Sequence, residues 1–243
     1  MEVKKTRKIM IALMVIAVLI FAAVLFLNNH LDSKQDNRQT EQEINETNLN
    51  VGKQQSFLSS AAPVLNDDDF YSGDREAKLK IFVYEDYADI FSAELDSTLT
   101  QARTDFGDDL VFVYRPYNIN HDNISSQTAI AISCAADQGR GEVWREKTLA
   151  ATADNVLTID DWQAWSDELD LNDKDFKDCL TNSSKKERIE ELMKQASTYS
   201  VYGSPAIFVG DEMIVGARPY QTFIDSNGDE IEGLKQVIER QLK

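Results

Sequence analysis

An uninterrupted apolar run, residues 9–27, follows a basic cluster at the amino terminus. A helix of that length spans about 28 Å, which matches the hydrocarbon core of a bilayer. Four basic residues precede the run: Lys4, Lys5, Arg7 and Lys8. This charge favours a cytoplasmic tail at residues 1–8. The pattern predicts a single-pass transmembrane signal-anchor at residues 9–27 with the rest of the chain outside the cytoplasm, and a cleaved secretory signal or a buried soluble helix is the alternative.

Residues 28–60 are polar and contain only scattered Leu, Ile and Val. Such a segment buries too little apolar surface to offset the entropy lost on ordering, so we expect a disordered linker. Its r.m.s. reach is on the order of 30 Å, so it would tether a domain near the membrane surface. The remaining residues, 61–243, are enough for one domain with its own hydrophobic core.

The negative net charge of the chain limits the kinds of molecule that it can bind. The formal net charge is −17, and the first 27 residues carry four basic and one acidic side chain, so the rest is more acidic still. Nucleic acids and anionic lipid headgroups both require positive surface, which excludes them as partners. The segment 225–229 has Asp at its first and fifth positions but lacks the later Gly and Glu of a calcium loop, so we expect a polar turn there. We expect no metal and no small-molecule cofactor.

Hydrophobic periodicity in residues 61–243 alternates between strand and helix patterns. Strands are predicted at 78–85, 109–115, 206–209 and 213–216, and the last two form a hairpin about Gly210 and Asp211. Helices are predicted at 91–106, 127–137, 141–151, 159–168, 185–199 and 233–242. A strand, a helix and a strand within about 40 residues indicate a parallel crossover. The order therefore predicts an α/β thioredoxin fold with an inserted helical domain at about 124–199.

Short motifs in this order resemble those of the DsbA-like thioredoxin-fold family, the exported bacterial thiol-disulfide oxidoreductases. The matching residues are Asp67–Asp69, Gly73, Ala77, Val83–Tyr87, Arg115–Tyr117, His121, Ala129, Ala131, Cys134, Ala135, Gly203–Ala206 and Val215–Tyr220. They run through nearly all of the exported domain, and their order and spacing carry the resemblance. The resemblance implies a thioredoxin fold with a helical insertion and a cis peptide bond between Ser204 and Pro205.

The chain departs from this family at the redox site. Where the resemblance places a C-x-x-C motif, this chain has Asp89-Ile90-Phe91-Ser92. Disulfide exchange requires a thiolate, and neither Asp89 nor Ser92 can form a mixed disulfide. Both are suitable residues for the start of a helix, so we expect a helix cap, and a catalytic acid role for Asp89 is the weaker alternative. The site therefore holds no predicted catalytic residue.

The only two cysteines of the chain, Cys134 and Cys179, lie elsewhere in the sequence. Two distant cysteines in an exported protein usually pair, and some members of the resembled family have a second, structural pair in the helical insertion. We expect a structural disulfide. Two buried free thiols or a displaced redox pair are the alternatives.

Three hypotheses for function follow. The first is a redox-inactive peptide- or protein-binding module, a chaperone or adaptor for exported proteins, that binds through Ile90, Phe91, Ser204 and Pro205. The second is an envelope oxidoreductase that works through Cys134 and Cys179 or through partner thiols. The third is a structural subunit of an envelope complex. The oligomeric state is left open.

Overall fold

Five strands form the central sheet of the computed structural model, which describes residues 62–118 and 123–243. In chain order they are β1 (Phe70–Gly73), β2 (Leu79–Glu85), β3 (Leu110–Pro116), β4 (Ala206–Val209) and β5 (Glu212–Val215). Their order in the sheet is β1-β3-β2-β4-β5. β2 and β3 are parallel, and the other neighbours are antiparallel. A separate two-stranded ribbon pairs β6 (Phe223–Ile224) with β7 (Glu230–Ile231).

Seven α-helices accompany the sheet in the described residues. They are α1 (Ile90–Phe106), α2 (Asn123–Asp137), α3 (Gly141–Ala153), α4 (Trp162–Glu168), α5 (Asp173–Leu180), α6 (Ser183–Ala196) and α7 (Leu234–Gln241). α1 connects β2 to β3, and α2 to α6 form the insertion between β3 and β4. Side-chain oxygens of Asn172 and Asn182 accept backbone N–H groups at the starts of α5 and α6, which satisfies donors that the helices leave free.

The two faces of the sheet bury different apolar sets because side chains alternate along each strand. On one face, Ile81 and Val83 of β2 pack with Leu95 and Leu99 of α1 and with Ile238 of α7. On the other face, β2 and β4 contribute an aromatic cluster that is covered by the end of α6. Since β2 is buried on both sides, its sequence is nearly continuous in apolar residues.

A third core fills the inserted helices around the fully buried Trp144. The ring of Trp144 packs against Phe176 at 4.7 Å and against Trp165 at 5.6 Å between ring centroids. Cys134 of α2 and Cys179 of α5 form a disulfide across this core, with 5.8 Å between their Cα atoms. The expected pairing of Cys134 with Cys179 is confirmed, and the alternative of two free thiols is wrong.

A buried ion pair joins the insertion to the sheet. Arg145 of α3 donates to both carboxylate oxygens of Glu85, at 2.6 and 2.7 Å, and also to Asp96 of α1 at 2.6 Å. The guanidinium lies 4.0 Å from the ring centroid of Tyr114. Burial raises the pKa of Glu85, and the charge of Arg145 opposes that rise. A charge pair of this kind fixes one arrangement of α3 against β2, since either partner alone would be a buried, uncompensated charge.

The thioredoxin-like order of elements predicted from the sequence is confirmed, including the hairpin of β4 and β5. Four elements were not predicted: β1, α5, and the strands β6 and β7 of the ribbon. The helix predicted at 159–168 starts later, since Ile159–Asp161 is a 3-10 turn. The predictions for the cytoplasmic tail, the signal-anchor and the linker, and the position of His121, lie outside the described residues. Within the described ranges, no helix combines the length and apolar character needed to cross a bilayer.

Candidate functional site

The candidate site lies where β2 ends and α1 begins. Asp89 has extended backbone angles, φ −99° and ψ 131°, and one oxygen of its carboxylate accepts the Ser92 N–H at 3.2 Å. Its carbonyl oxygen accepts the N–H of Ala93, which starts the helical hydrogen-bond series. Asp89 is therefore the N-cap of α1, as expected from the sequence. A carboxylate here also interacts favourably with the positive end of the helix dipole.

Ser92, which the sequence resemblance places at the second redox position, is fully buried. Its hydroxyl is 3.3 Å from a carboxylate oxygen of Asp89 and 3.1 Å from the hydroxyl of Ser204. The Ser204 hydroxyl also accepts the backbone N–H of Asp86 at 2.7 Å. Polar side chains from α1 and from the segment before β4 thus meet at the end of β2. The structure brings together three residues that the sequence placed at one site.

The peptide bond between Ser204 and Pro205 is cis, as the resemblance implied. The carbonyl of Pro205 accepts the N–H of Gly216 at 2.8 Å, so Pro205 is hydrogen-bonded to the residue that follows β5. The backbone of Ser204 is not held in this way. Neither its amide nor its carbonyl forms a hydrogen bond with any described residue. Ser204 therefore presents both backbone groups of one residue just before a sheet strand.

Apolar side chains stand exposed beside these groups. Ile90 and Phe91 of α1 are 51% and 56% exposed. Tyr202, two residues before Ser204, is 75% exposed. The pKa of Tyr117 is raised by the burial of Tyr117 and, to a lesser extent, by the nearby hydroxyl of Tyr202. A recess of about 410 Å³ adjoins Ile90 and is lined in part by Asp86 and Asp89. An exposed apolar rim around free backbone groups can hold an extended chain.

The site contains no thiol. Both cysteines of the chain are in the disulfide between α2 and α5, and Cys134 is only 1% exposed. Within the described ranges, no group of three His, Cys, Asp or Glu side chains could hold a metal ion. The arrangement caps a helix, and its own side chains supply no nucleophilic sulfur.

Sequence reasoning missed three residues that shape the site. Tyr202 widens the apolar rim, and an aromatic residue close before Gly203 and Pro205 was a signal that could have identified it. Glu85 precedes the site at the end of β2, and Arg145 approaches from an inserted helix. Nothing in the sequence links these two, because 60 residues separate them.

Comparisons with known proteins agree with this geometry. A family model described as Thioredoxin matches residues 65–226. The Na(+)/H(+) antiporter NhaA 1 of Salinispora arenicola is 26% identical over 160 residues, which are 65% of this chain and 24% of that protein. The chain thus spans about a quarter of the length of that curated relative.

Solved structures share the fold at low sequence identity. A periplasmic thioredoxin-like protein from Salmonella enterica serovar Typhimurium is 20% identical, has a TM-score of 0.60, and is matched over 78% of this chain and 99% of that one. The thiol-disulfide exchange protein alpha-DsbA2 from Wolbachia pipientis is 19% identical with a TM-score of 0.55, over 62% and 80% of the two chains. The catalytic domain of Proteus mirabilis ScsC is 14% identical with a TM-score of 0.56, over 73% and 90%.

The family model covers most of the described residues, and the fold and the cis-proline segment agree with it. This chain belongs to the thioredoxin family.

Proposed function

We propose that this protein is a membrane-anchored, extracytoplasmic binding module for exported peptides or proteins and that it performs no disulfide exchange at the start of α1. The observation that carries the proposal is the amide and carbonyl of Ser204, which form no hydrogen bond with any described residue, beside the exposed side chains of Ile90, Phe91 and Tyr202. An extended segment can add to these groups by main-chain hydrogen bonds, while apolar pockets take its side chains.

The same contacts support the proposal that the start of α1 performs no redox chemistry. A helix amino terminus stabilises a thiolate in an active oxidoreductase, and here the Asp89 carboxylate takes that position and accepts the Ser92 N–H. Ser92 is buried and hydrogen-bonded to the Ser204 hydroxyl instead of being poised to resolve a mixed disulfide. The binding surface is retained, while the sulfur atoms needed for electron transfer are absent from it.

Binding is tested with an unfolded reporter protein and the full chain held in lipid nanodiscs. Phe91→Ser removes an apolar side chain that is 56% exposed, and we expect about tenfold weaker binding from the loss of about 1.5 kcal/mol of apolar burial. Ile224→Ser is the matched control, because Ile224 is 63% exposed but belongs to the ribbon of β6 and β7. Equal loss in both variants, or no binding by the natural chain, would contradict the proposal and favour a structural subunit.

Redox activity is tested on the same sample by oxidation of a model dithiol. We expect none from the natural chain. Several structural relatives are oxidoreductases, so the opposite result is a meaningful alternative. Turnover that disappears in Cys134→Ser would show that the inserted disulfide carries the chemistry.

The anchor is a separate part of the proposal and rests on the apolar run at residues 9–27 and the basic residues before it. We expect the protein to stay in the membrane fraction after alkaline extraction and to be cleaved by protease added outside the cytoplasmic membrane. A free protein in the medium, shortened by about the length of the apolar run and its basic tail, would replace the anchor with a cleaved signal.

A further inference from the structure

The first described residues lie beside the edge of the sheet that carries the candidate site. The carbonyl of Val64 accepts from the guanidinium of Arg115 at 2.8 Å, and the same guanidinium donates to the hydroxyl of Tyr84 at 3.0 Å. Tyr84 is paired across the sheet with Ala206, two residues after Ser204. Two hydrogen bonds and one strand pairing therefore connect the point where the chain enters the domain with the site.

Other contacts hold this entry segment on the same side of the domain. Leu65 packs against the aromatic cluster of β2 and β4, and so does Tyr117. Tyr117 is close to Tyr202, since the hydroxyl of Tyr202 contributes to the raised pKa of Tyr117. Asp68 pairs with Arg188 of α6 at 2.7 Å. The entry segment is therefore fixed on the side of the domain that carries the exposed Tyr202.

The residues just before the entry segment have the composition of a chain that the proposed peptide-binding surface can accept. Residues 55–61 read Gln-Ser-Phe-Leu-Ser-Ser-Ala. Phe57 and Leu58 are the only adjacent pair of large apolar residues in 28–60, and residues 54–66 carry no charge. An uncharged segment avoids the repulsion that an acidic chain would meet at this acidic domain, and its apolar pair suits an exposed apolar rim.

The connection is short enough to bring this apolar pair to the site. Seven residues of extended chain lead from Val64 back to Phe57, and that length reaches about 25 Å. The path from Val64 to Ser204 consists of two hydrogen bonds, the side chain of Tyr84, one strand spacing of about 4.8 Å and two residues, so it is comparable in length. A short connection gives the segment an effective concentration in the millimolar range, so a weak intrinsic affinity is enough to occupy the site.

We propose that residues 55–61 bind back to the peptide-binding surface of their own chain. Phe57 and Leu58 pack against the exposed side chain of Phe91, and the main chain of the segment hydrogen-bonds to Ser204. An exported client has to displace the segment, which therefore acts as an internal competitor and lowers the apparent affinity of the site. This inference rests on the proposed function, because it requires that the surface around Ser204 accept an extended chain.

The test uses the full chain at one copy per lipid nanodisc. The main variant combines Phe57→Ser with Leu58→Ser, and the matched control combines Leu49→Ser with Val51→Ser, which removes two apolar side chains from an earlier part of the linker. Hydrogen exchange at the amide of Ser204 reports on the docked segment without any client. Affinity for the unfolded reporter protein reports on competition.

Both measurements should change by the same factor. With an effective concentration about four times the intrinsic Kd, the segment occupies the site about four-fifths of the time. The main variant should then exchange the Ser204 amide about fivefold faster and bind the reporter about fivefold more tightly. The matched control should behave as the natural chain does.

The outcomes separate this inference from the proposed function. Equal exchange at Ser204 in the natural chain and in the main variant, with the reporter bound equally by both, would overturn the internal competitor and leave the proposed function standing. No reporter binding by either chain would overturn the proposed function and this inference with it. Protection of the Ser204 amide that appears only when a nanodisc holds two copies would assign the segment to a neighbouring chain and overturn docking within one chain.

Discussion

Restoring the cysteines tests whether Asp89 and Ser92 stand at redox positions. A carboxylate oxygen of Asp89 and the hydroxyl of Ser92 are 3.3 Å apart, so side chains at these positions can approach within bonding range after a small adjustment. The variant carrying Asp89→Cys and Ser92→Cys should therefore form a reversible disulfide at the start of α1. It should oxidise a model dithiol that the natural chain leaves untouched.

The size of the expected effect follows from the contacts of Asp89. The amide of Ser92 already donates to an anionic oxygen at this position. A charge at a helix terminus is stabilised by about 0.3–2 kcal/mol, so the ratio of thiolate to thiol at a given pH should rise about 2- to 30-fold. The pKa of the new thiol in Asp89→Cys should thus be lower than that of a free cysteine.

The assay is a pH titration of thiolate absorbance in the single variant Asp89→Cys. Glu190→Cys is the control, because Glu190 is exposed in the middle of α6 and far in sequence from either helix end. Ser92→Cys alone should resist alkylation, since Ser92 is fully buried. A titration midpoint of Asp89→Cys at or above that of the control would refute the argument from the helix terminus. A folded double variant without activity would refute the assignment of the two positions.

Three further outcomes concern stability. Arg145→Met should lower the free energy of unfolding by about 3–5 kcal/mol, because it leaves the fully buried Glu85 without its partner. Cys134→Ser should cost about 4 kcal/mol by freeing a loop closed between residues 45 apart, Cys134 and Cys179. Gly141→Ala should cost about 1–3 kcal/mol, because a Cβ there would lie 2.6 Å from a side chain of α2. Chemical denaturation measures all three.

The Arg145→Met deficit should also depend on pH. Burial raises the pKa of Glu85 in the folded state above its unfolded value, and Arg145→Met raises it further because it removes the charge that opposes that rise. The stability linked to its protonation is present at low pH and is lost as pH rises through the folded value. The deficit should therefore shrink on acidification, and a deficit that is constant with pH would contradict the assignment to Glu85. Removing the exposed pair of Lys174 and Asp178 should change stability by less than about 1 kcal/mol, which serves as the control.

Strong local patterns made much of this fold predictable. β2 and β3 carry continuous apolar runs, which predicted buried strands. α1 places Leu95, Leu99 and Ala102 on one buried face, and this helical spacing predicted a helix. α5 was missed because it has eight residues and Phe176 is its only fully buried side chain. β1 was missed because it is a four-residue edge strand with no fully buried residue, and its identity depends on pairing with β3.

The sequence by itself predicted that Asp89 would cap a helix, showed that residues 89–92 contain no thiol, and favoured a disulfide between the only two cysteines of the chain. These conclusions depend on residue identity and on neighbours within one helical turn. Only the tertiary structure decided that Ser92 meets Ser204, since 112 residues separate them, and that Arg145 neutralises Glu85. It alone also showed that the Ser204 amide and carbonyl form no hydrogen bond with any described residue. Such contacts depend on how whole elements pack, and no local sequence pattern encodes that packing.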